Sequence, residues 1–346
     1  MPVLCGMTDH CLSEITLPAD AHRSSGDINE LICCSRYIFC EINQVKICCG
    51  ALLTIKNPCV CIIGCVVNIR YSMQLRDQMK GSIPDSVLCH LPNRFDVIGD
   101  IAILHLTPEL HSYRYSIAST IISRRRAIHT VLNKTTKLEG ENRTAHYEIL
   151  FGSGTITTHH EYCYSYRLDV KTVFFNPSLA TERRRVTSLV LPGETVLVPF
   201  CGVGPFVIPA AARGADIVAI EQNSDACRWF IENCDLNGVS DRITLIYGNA
   251  FDTSLLPRRK YDRVIIPTPY GMDRCLEMFV PFVRKEGMIH FYTFKNRLQI
   301  EGLVSDFEGK GLNVVRYRRC GHVAPSVSRW VFDCRKISRN IRFKPA

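Results

Sequence analysis

The stretch that decides the fold is VLVPFCGVGPFVIP, residues 196–209. An apolar run at 196–198 leads into Gly202-x-Gly204, and a second apolar stretch follows. Glycines at the end of a buried strand let the backbone approach a ligand without a Cβ in the way, and a following helix offers free N–H groups. The stretch therefore predicts a strand, a ligand-binding turn and a helix.

The same alternation continues through residues 171–346. Strand candidates are TVLVPF, DIVAIE, ITLIYG, DRVIIPT and GMIHFYTF, and the helical stretches between them are PFVIPAAARG, SDACRWFIENCDLNG and DRCLEMFVPFVRK. Strands and helices that alternate at this spacing are typical of an α/β fold with a parallel, doubly wound sheet. Ligands of such sheets bind beyond the carboxyl ends of the strands.

An acidic residue, Glu221, ends the second strand candidate. A G-x-G turn, a helix, a strand and a terminal acid in this order predict a nucleoside-bearing cofactor whose ribose hydroxyls contact Glu221; an ordinary surface acid at a strand end is the other interpretation. The dinucleotide pattern requires a third glycine at position 207, where this chain has Val207. This difference disfavours NAD and favours S-adenosylmethionine.

Composition and charge indicate the general class of protein. The chain has 346 residues, 46% hydrophobic and 22% charged, as in a soluble globular protein of two or three domains. No apolar run is long enough for a membrane span, and the acidic N-terminus differs from a signal peptide, so we expect no membrane partner and a cytoplasmic location. The net charge is +9, with its surplus after residue 170. Such a surface either attracts phosphate backbones or is simply solvated.

Cysteines are concentrated near the N-terminus, where 10 of the 18 lie within residues 1–65. No pair has the C-x-x-C spacing of a zinc site, so we expect buried thiols and no metal. A metal or iron–sulfur site is the alternative, with Cys59, Cys61 and Cys65 as its first candidates.

Changes in pattern divide the chain into three predicted domains. Residues 1–72 form a small Cys-rich, strand-rich region. Residues 73–170 form an α+β middle domain that begins with a linker at 73–85. It contains a strand in RFDVIGDIAILHL, a helix in YSIASTIISRR and two further strands in HYEILFG and TITTHHEY. Residues 171–346 form the Rossmann-like domain.

Several stretches resemble the Met-10-like tRNA methyltransferases of archaea and eukaryotes, which make 1-methylguanosine at position 37 of tRNA. The matching stretches are FDVIGDIAIL, LEGENRT, VFFNPSLATERRRV, FCGVGPFVIPAA, AIEQNSDACRWFIENCDLN and IHFYTF, and the resemblance covers roughly residues 75–346. It implies a class I, Rossmann-like methyltransferase that uses S-adenosylmethionine and binds tRNA. We expect it to be a monomer.

The resemblance also implies two catalytic residues. Glu182, in NPSLATER, corresponds to the proposed general base that removes the N1 proton of guanine. Arg143, in GENR, corresponds to an arginine that faces O6, where negative charge develops. From the residues alone, Glu182 also fits an acid at a helix start, and Arg143 also fits a surface or phosphate-contacting arginine.

Further site residues are implied at the cofactor and the target base. The cofactor set is Phe200, Gly202, Val203, Gly204, Glu221, Gln222 and Asn249. The substrate set is Asn223, Pro267, Pro269 and Tyr270, although Asn223 is also a candidate helix N-cap.

Three positions depart from the family pattern. Pro199 and Asn249 stand where the family has acids after the first and third strands, and Pro267-Thr268-Pro269 replaces Asn-Leu-Pro. The alternatives to the guanine-N1 methyltransferase are therefore a relative that methylates another RNA or a protein, and a non-catalytic RNA-binding protein of the same fold. A wybutosine enzyme that transfers the aminocarboxypropyl group is a further alternative, but Pro205 and the NPxLxxER pattern disfavour it.

Overall fold

The chain forms two compact units, Met1–Met73 and Gln74–Ala346. The computed structural model describes residues 74–136, 140, 144–272 and 274–337, and the backbone of five strands in the first unit. These strands are β1 (Ile32–Cys34), β2 (Tyr37–Ile42), β3 (Val45–Cys48), β4 (Cys59–Ile62) and β5 (Cys65–Asn68). β1 to β3 form an antiparallel sheet, and β4 and β5 form a hairpin. The predicted burial of the N-terminal cysteines lies outside the described residues.

The second unit begins with two short helices and a four-stranded sheet in the order β6-β7-β8-β9, followed by a two-stranded ribbon of β10 and β11. The elements are α1 (Leu75–Gln78), α2 (Asp85–Leu88), β6 (Asp96–Ile98), β7 (Ile101–Leu104), α3 (Arg114–Arg124), β8 (Thr130–Lys134), β9 (Tyr147–Phe151), β10 (Ile156–Glu161) and β11 (Tyr164–Asp169).

The predicted single strand in RFDVIGDIAILHL was wrong, because the chain reverses there. Gly99 has φ +56°, and β6 pairs antiparallel with β7 on either side of it. A Cβ on Gly99 would lie 2.0 Å from the Thr157 hydroxyl oxygen, so the turn also packs closely against β10. Glycine meets both requirements.

The Rossmann-like part follows. Its elements are α4 (Ala180–Ser188), β12 (Thr195–Pro199), α5 (Val207–Ala211), β13 (Asp216–Glu221), α6 (Ser224–Leu236), β14 (Ile243–Tyr247), β15 (Tyr261–Ile266), α7 (Cys275–Phe279), β16 (Val283–Lys295), α8 (Ile300–Gly309), β17 (Leu312–Ala324) and β18 (Val327–Lys336). The helix expected in DRCLEMFVPFVRK is shorter than predicted: α7 ends at Phe279, a 3-10 turn follows, and β16 begins at Val283.

Seven strands form the main sheet in the order β14-β13-β12-β15-β16-β18-β17. β12 to β16 are parallel, as predicted, but β18 is antiparallel to both β16 and β17. The sheet is therefore mixed at one end. Pairing β18 with β16 also places the C-terminal strands beside the parallel core, which the alternation of strands and helices did not predict.

The strand order reverses between β12 and β15, the position where ligands bind in doubly wound sheets. The central residues of β12, Val196 to Val198, are fully buried between apolar clusters on the two faces of the sheet. Parallel pairing brings the carboxyl ends of β12, β13 and β15 to one edge. Among the described helices, none combines the length and apolarity that a membrane span requires.

Candidate active site

A cleft, here called the central cleft, opens at that edge of the sheet. It is lined by the turn after β12, the end of β13, the segment after β15 and the approach to α4. The lining residues are Phe174, Phe175, Asn176, Leu179, Arg183, Phe200, Cys201, Gly202, Pro205, Phe206, Ile220, Glu221, Gln222, Asn223, Ala226, Ala250, Pro267, Thr268, Pro269, Tyr292 and Arg329.

The glycine turn has three residues with positive φ: Phe200 at +58°, Gly202 at +55° and Gly204 at +94°. A Cβ on Gly202 would have no neighbouring atom within 4 Å, so its backbone faces open space. A Cβ on Gly204 would lie 3.0 Å from Ile208 and 3.2 Å from Phe230, so this glycine allows close packing inside the fold. The two glycines therefore do different things: Gly202 leaves room for a ligand, and Gly204 leaves room for protein.

Glu221 links the glycine turn to the start of α6. Its Oε2 accepts the N–H of Gly202 at 2.9 Å, and its Oε1 accepts the N–H groups of Gln222 at 3.0 Å and Asn223 at 2.9 Å. Three backbone donors thus fix a carboxylate that lines the cleft. These donors leave about one of the four acceptor positions of the carboxylate open, on Oε2, where a ligand hydroxyl such as that of a ribose can donate.

The remaining predicted cofactor residues differ in position. Phe200 and Gln222 line the central cleft, whereas Val203 is fully buried behind it. Asn249 is exposed and does not line the cleft; its side chain accepts the N–H of Phe251 at 2.9 Å. The neighbouring Ala250 lines the cleft in its place.

The predicted substrate residues also separate. Asn223 lines the cleft and caps α6, accepting the N–H of Asp225 at 3.0 Å while donating to the Thr172 carbonyl at 2.9 Å. Pro267 and Pro269 line the same cleft. Tyr270 does not; its ring lies edge-on against Phe294, with centroids 5.0 Å apart.

A second cleft, here called the lateral cleft, adjoins the first and contains Tyr270. Strands of the smaller sheet contribute to one side and the main sheet's C-terminal strands to the other. Its lining residues are Asp96, Ile98, Ile103, Lys134, Thr144, Tyr147, Val170, Val173, Phe174, Phe175, Asn176, Ser178, Tyr270, Phe294, Gly321, His322, Val323 and Arg329. Four residues line both clefts: Phe174, Phe175, Asn176 and Arg329.

Glu182 lies on α4, 3% exposed, and is not part of either lining. Arg185 donates to both of its carboxylate oxygens, at 2.8 Å from Nη2 and 3.0 Å from Nε. The Tyr292 hydroxyl donates to Oε1 at 2.9 Å, and Arg318 lies 3.3 Å from Oε2. Burial raises the pKa of Tyr292 well above its ordinary value. Since Tyr292 lines the central cleft, it connects the Glu182 carboxylate to that cleft.

A buried chain of polar groups continues from Glu182. Arg185 also donates to Asp333 at 2.7 Å, and His290 Nδ1 donates to Asp333 at 2.6 Å. Arg263 donates to His290 Nε2 at 2.6 Å and pairs with Glu194. Burial lowers the pKa of His290, so the ring is neutral and bridges an acceptor and a donor. Burial alone would raise the pKa of Asp333, but the donors from His290 and Arg185 hold it at about 2.

Sequence reasoning missed a second buried ion pair beside the cleft. Arg183 donates to both carboxylate oxygens of Glu161, one of them at 2.8 Å, and to the Asn176 carbonyl at 2.9 Å. Burial alone would raise the pKa of Glu161, yet hydrogen bonds from His159 and Arg183 lower it. The run of three arginines after Glu182 was the available signal. Its members separate completely: Arg183 and Arg185 pair inward, and Arg184 is exposed.

Arg329, which lines both clefts, was also missed by sequence reasoning, because a single arginine in a C-terminal strand gives no pattern.

Arg143, the second predicted catalytic residue, lies outside the described residues. Within the described part of the chain, no cluster of His, Cys, Asp and Glu could hold a metal ion, and the eight cysteines with described side chains are free thiols.

Comparison with protein families gives two adjoining matches. Residues 157–315 match the TRM5/TYW2 methyltransferase domain, and residues 75–155 match the TYW2 N-terminal domain. The two matches meet at Ile156, the first residue of β10.

Curated relatives include two archaeal proteins. The chain is 34% identical over 214 residues to the tRNA (guanine(37)-N(1))-methyltransferase Trm5b of Pyrococcus abyssi, covering 62% of this chain and 63% of that protein. It is 36% identical over 172 residues to the tRNA(Phe) (4-demethylwyosine(37)-C(7)) aminocarboxypropyltransferase of Pyrococcus horikoshii, covering 49% and 61%. The matches span about three fifths of the length of these relatives.

Solved structures give the same grouping. The crystal structure of P. abyssi Trm5b has a TM-score of 0.65 and 32% identity, covering 73% of this chain and 78% of that one. The structure of P. horikoshii TYW2 in complex with MeSAdo has a TM-score of 0.60 and 27% identity, covering 75% and 97%. These similarities agree with the fold and the site, namely the sheet order β14-β13-β12-β15-β16-β18-β17 and the glycine turn held by Glu221. The chain therefore belongs to the TRM5/TYW2 methyltransferase family.

Proposed function

We propose that the chain transfers the methyl group of S-adenosylmethionine to N1 of guanine 37 in tRNA. The observation that supports this most is the combination of a glycine turn fixed by Glu221 in the central cleft with a buried carboxylate, Glu182, that lies behind the lining residue Tyr292. The first suits the adenosine part of the cofactor. The second suits removal of a proton from the acceptor.

In this proposal the backbone of Gly202 and the carboxylate of Glu221 hold the nucleoside. Apolar residues of the cleft, among them Phe200 and Phe206, surround the cofactor and exclude water. The N1–methyl bond forms as the sulfur–methyl bond breaks, which leaves neutral S-adenosylhomocysteine.

Glu182 takes the N1 proton by way of Tyr292. The Tyr292 hydroxyl already donates to Glu182 Oε1, so it accepts the proton from the acceptor as it passes its own to the carboxylate. Arg185 and Arg318 keep that carboxylate in place. A positioned general base contributes roughly 10²–10⁴-fold to the rate.

The test is single-turnover methylation of an unmodified tRNA transcript with guanine at position 37, followed by mass spectrometry of its nucleosides. Glu182→Gln should slow methylation by roughly 10²–10⁴-fold while cofactor binding holds. Tyr292→Phe should slow it as well; full activity of this variant alone would indicate direct proton transfer to Glu182. Wild-type rates in Glu182→Gln would remove the base assignment.

One observation favours a second candidate, transfer of the aminocarboxypropyl group of the same cofactor. Residues 75–155 match the TYW2 N-terminal domain, and the P. horikoshii aminocarboxypropyltransferase is among the relatives. The two products differ in mass, so the same spectra distinguish them. A methylated nucleoside other than 1-methylguanosine, or methylated protein, would indicate a different acceptor.

A further inference from the structure

Arg329 has an unusual combination of position and partners. It lies on β18 in register with Phe294 of β16, and its guanidinium lies 5.0 Å from the centre of the Phe294 ring. Stacking of this kind fixes the orientation of the guanidinium plane and leaves the N–H groups at its edges free to donate to a ligand. The Phe294 ring is in turn held edge-on by Tyr270.

The guanidinium of Arg329 has no carboxylate partner among the residues that the structure describes. The other arginine in the central cleft, Arg183, differs in this respect, because Glu161 takes two of its donors. Burial lowers the pKa of Arg329, and the nearby Arg183 adds to this effect. An unpaired cation in such a place is costly unless a ligand brings the missing negative charge.

The position of Arg329 indicates which part of a ligand it meets. Arg329 is one of four residues shared by the central and lateral clefts. If the cofactor occupies the central cleft and the acceptor enters from the lateral cleft, the shared residues surround the point where the methyl group crosses. The oxygen next to the attacking nitrogen lies at that point, and the phosphates of the acceptor nucleotide lie further from it. The methionine carboxylate of the cofactor shares its sulfur with the methyl group, so binding measurements are needed to distinguish it from that oxygen.

We propose that Arg329 is a further catalytic residue, whose guanidinium donates to the carbonyl oxygen of the acceptor base through the lone pair that the arginine implied by the resemblance, Arg143, leaves open. This inference rests on the proposed function. When the ring N–H adjacent to a carbonyl loses its proton to Glu182 through Tyr292, the charge spreads onto that oxygen, and a cation with fixed N–H donors stabilises it. The acceptor class that fits is a nucleobase with an N–H beside a carbonyl.

The experiment compares Arg329→Met, Arg329→Lys and a control, Arg335→Met, on the same strand but exposed. In single turnover at saturating cofactor and tRNA, Arg329→Met should slow methylation by about 10²-fold. Arg329→Lys should recover part of the rate, since it keeps the charge but not the fork of donors. Arg335→Met should match the wild type, and thermal unfolding should show that all three variants fold.

The pH dependence of the single-turnover rate distinguishes a catalytic role of Arg329 from a structural one, because a purely structural role would leave this dependence unchanged. Without the cation, the acceptor N–H becomes harder to deprotonate, so the rate of Arg329→Met should keep rising to higher pH than the rate of the wild type. An unchanged profile together with an unchanged rate would overturn the inference.

Binding measurements separate the other possible ligands. Affinities for S-adenosylhomocysteine, methylthioadenosine and tRNA should each stay within about threefold of the wild type in Arg329→Met. A selective loss for S-adenosylhomocysteine would assign Arg329 to the cofactor carboxylate, and a loss for tRNA with an unchanged rate at saturation would assign it to a phosphate. Either result overturns the inference. A wild-type chain that modifies no tRNA would instead refute the proposed function, and this inference with it.

Discussion

At the scale of single residues, Glu221 has two tasks in one carboxylate. It accepts three backbone N–H groups, which sets the glycine turn and the first residues after β13, and it faces the cleft. Replacing it with alanine should therefore remove a ligand contact and also release the turn.

The first prediction is that Glu221→Ala weakens S-adenosylmethionine binding at least tenfold. Loss of a hydrogen bond to a charged group costs about 1.5–3 kcal/mol, and tenfold in affinity corresponds to about 1.4 kcal/mol. Calorimetric titration measures the affinity, and Asp225→Asn, which changes a partly exposed acid on the neighbouring helix, is the control. Unchanged affinity in Glu221→Ala would remove Glu221 from the cofactor site.

The second prediction separates the two glycines of the turn. Gly204→Ala should lower the free energy of unfolding more, because its φ of +94° and its contacts with Ile208 and Phe230 both oppose a Cβ. Gly202→Ala should cost only about 1–2 kcal/mol in stability, but its methyl group enters open space where the ligand approaches. Urea unfolding and calorimetry on both variants test this. The assignment predicts that Gly202→Ala mainly weakens cofactor binding and that Gly204→Ala mainly weakens folding. It would be contradicted if, relative to its loss of stability, Gly204→Ala lost more cofactor affinity than Gly202→Ala.

At the scale of elements, α4 and the paired strands β16 and β18 are joined by buried polar contacts. Asp333 lies at the centre, between Arg185 of α4 and His290 of β16. In the folded chain His290 is neutral and Asp333 is ionised, so neither side chain carries its acidic proton. In acid the unfolded chain binds protons at both side chains, so the free energy of unfolding falls as the pH falls.

The third prediction follows from the pKa of about 2 at Asp333, against an ordinary value of 3.8. Its contribution, about 2 kcal/mol, is complete above the ordinary pKa and is lost as the pH falls from about 4 toward 2. Asp333→Asn should be less stable than the wild type at pH 7, and this difference should shrink through that range. Urea unfolding across a pH series measures it. A difference that stays constant down to the acid limit would show that Asp333 is not held in this way.

The same elements show what the sequence could predict. The glycine turn and Glu221 come together because a strand, a turn and an acid are local patterns, and parallel pairing brings strand ends to one edge. Asp333 and Arg329 both lie on β18, which reaches the site only by antiparallel pairing at the end of the sheet. That pairing depends on contacts between distant segments, which no periodicity records. Likewise, nothing local indicates that Glu182 lies behind Tyr292 rather than in the cleft wall.

At the scale of the whole molecule, the basic surplus after residue 170 is not a uniform surface. Several arginines that contribute to it are paired inside the fold: Arg183 with Glu161, Arg185 with Glu182 and Asp333, and Arg263 with Glu194. The side chain of Arg318, although 33% exposed, lies against Glu182. The cations available to a phosphate backbone are therefore fewer than the sequence suggests, and Arg316 and Arg319 on the edge strand β17 are among them.

The fourth prediction concerns these exposed arginines and tRNA. Binding should weaken steeply with salt, because each phosphate neutralised by a cation releases counterions. Arg316→Glu with Arg319→Glu should weaken binding and lower the slope of log affinity against log salt by about 0.7–0.9 for each phosphate that is no longer neutralised. Filter binding over a salt series measures both quantities.

Arg228→Glu, a charge reversal on the exposed face of α6, is the control. Arg318 is left intact, since changing it would disturb Glu182 and confuse binding with chemistry. A flat salt series in the wild type would contradict the electrostatic argument, and a slope that is the same in the double variant would place the tRNA on another face.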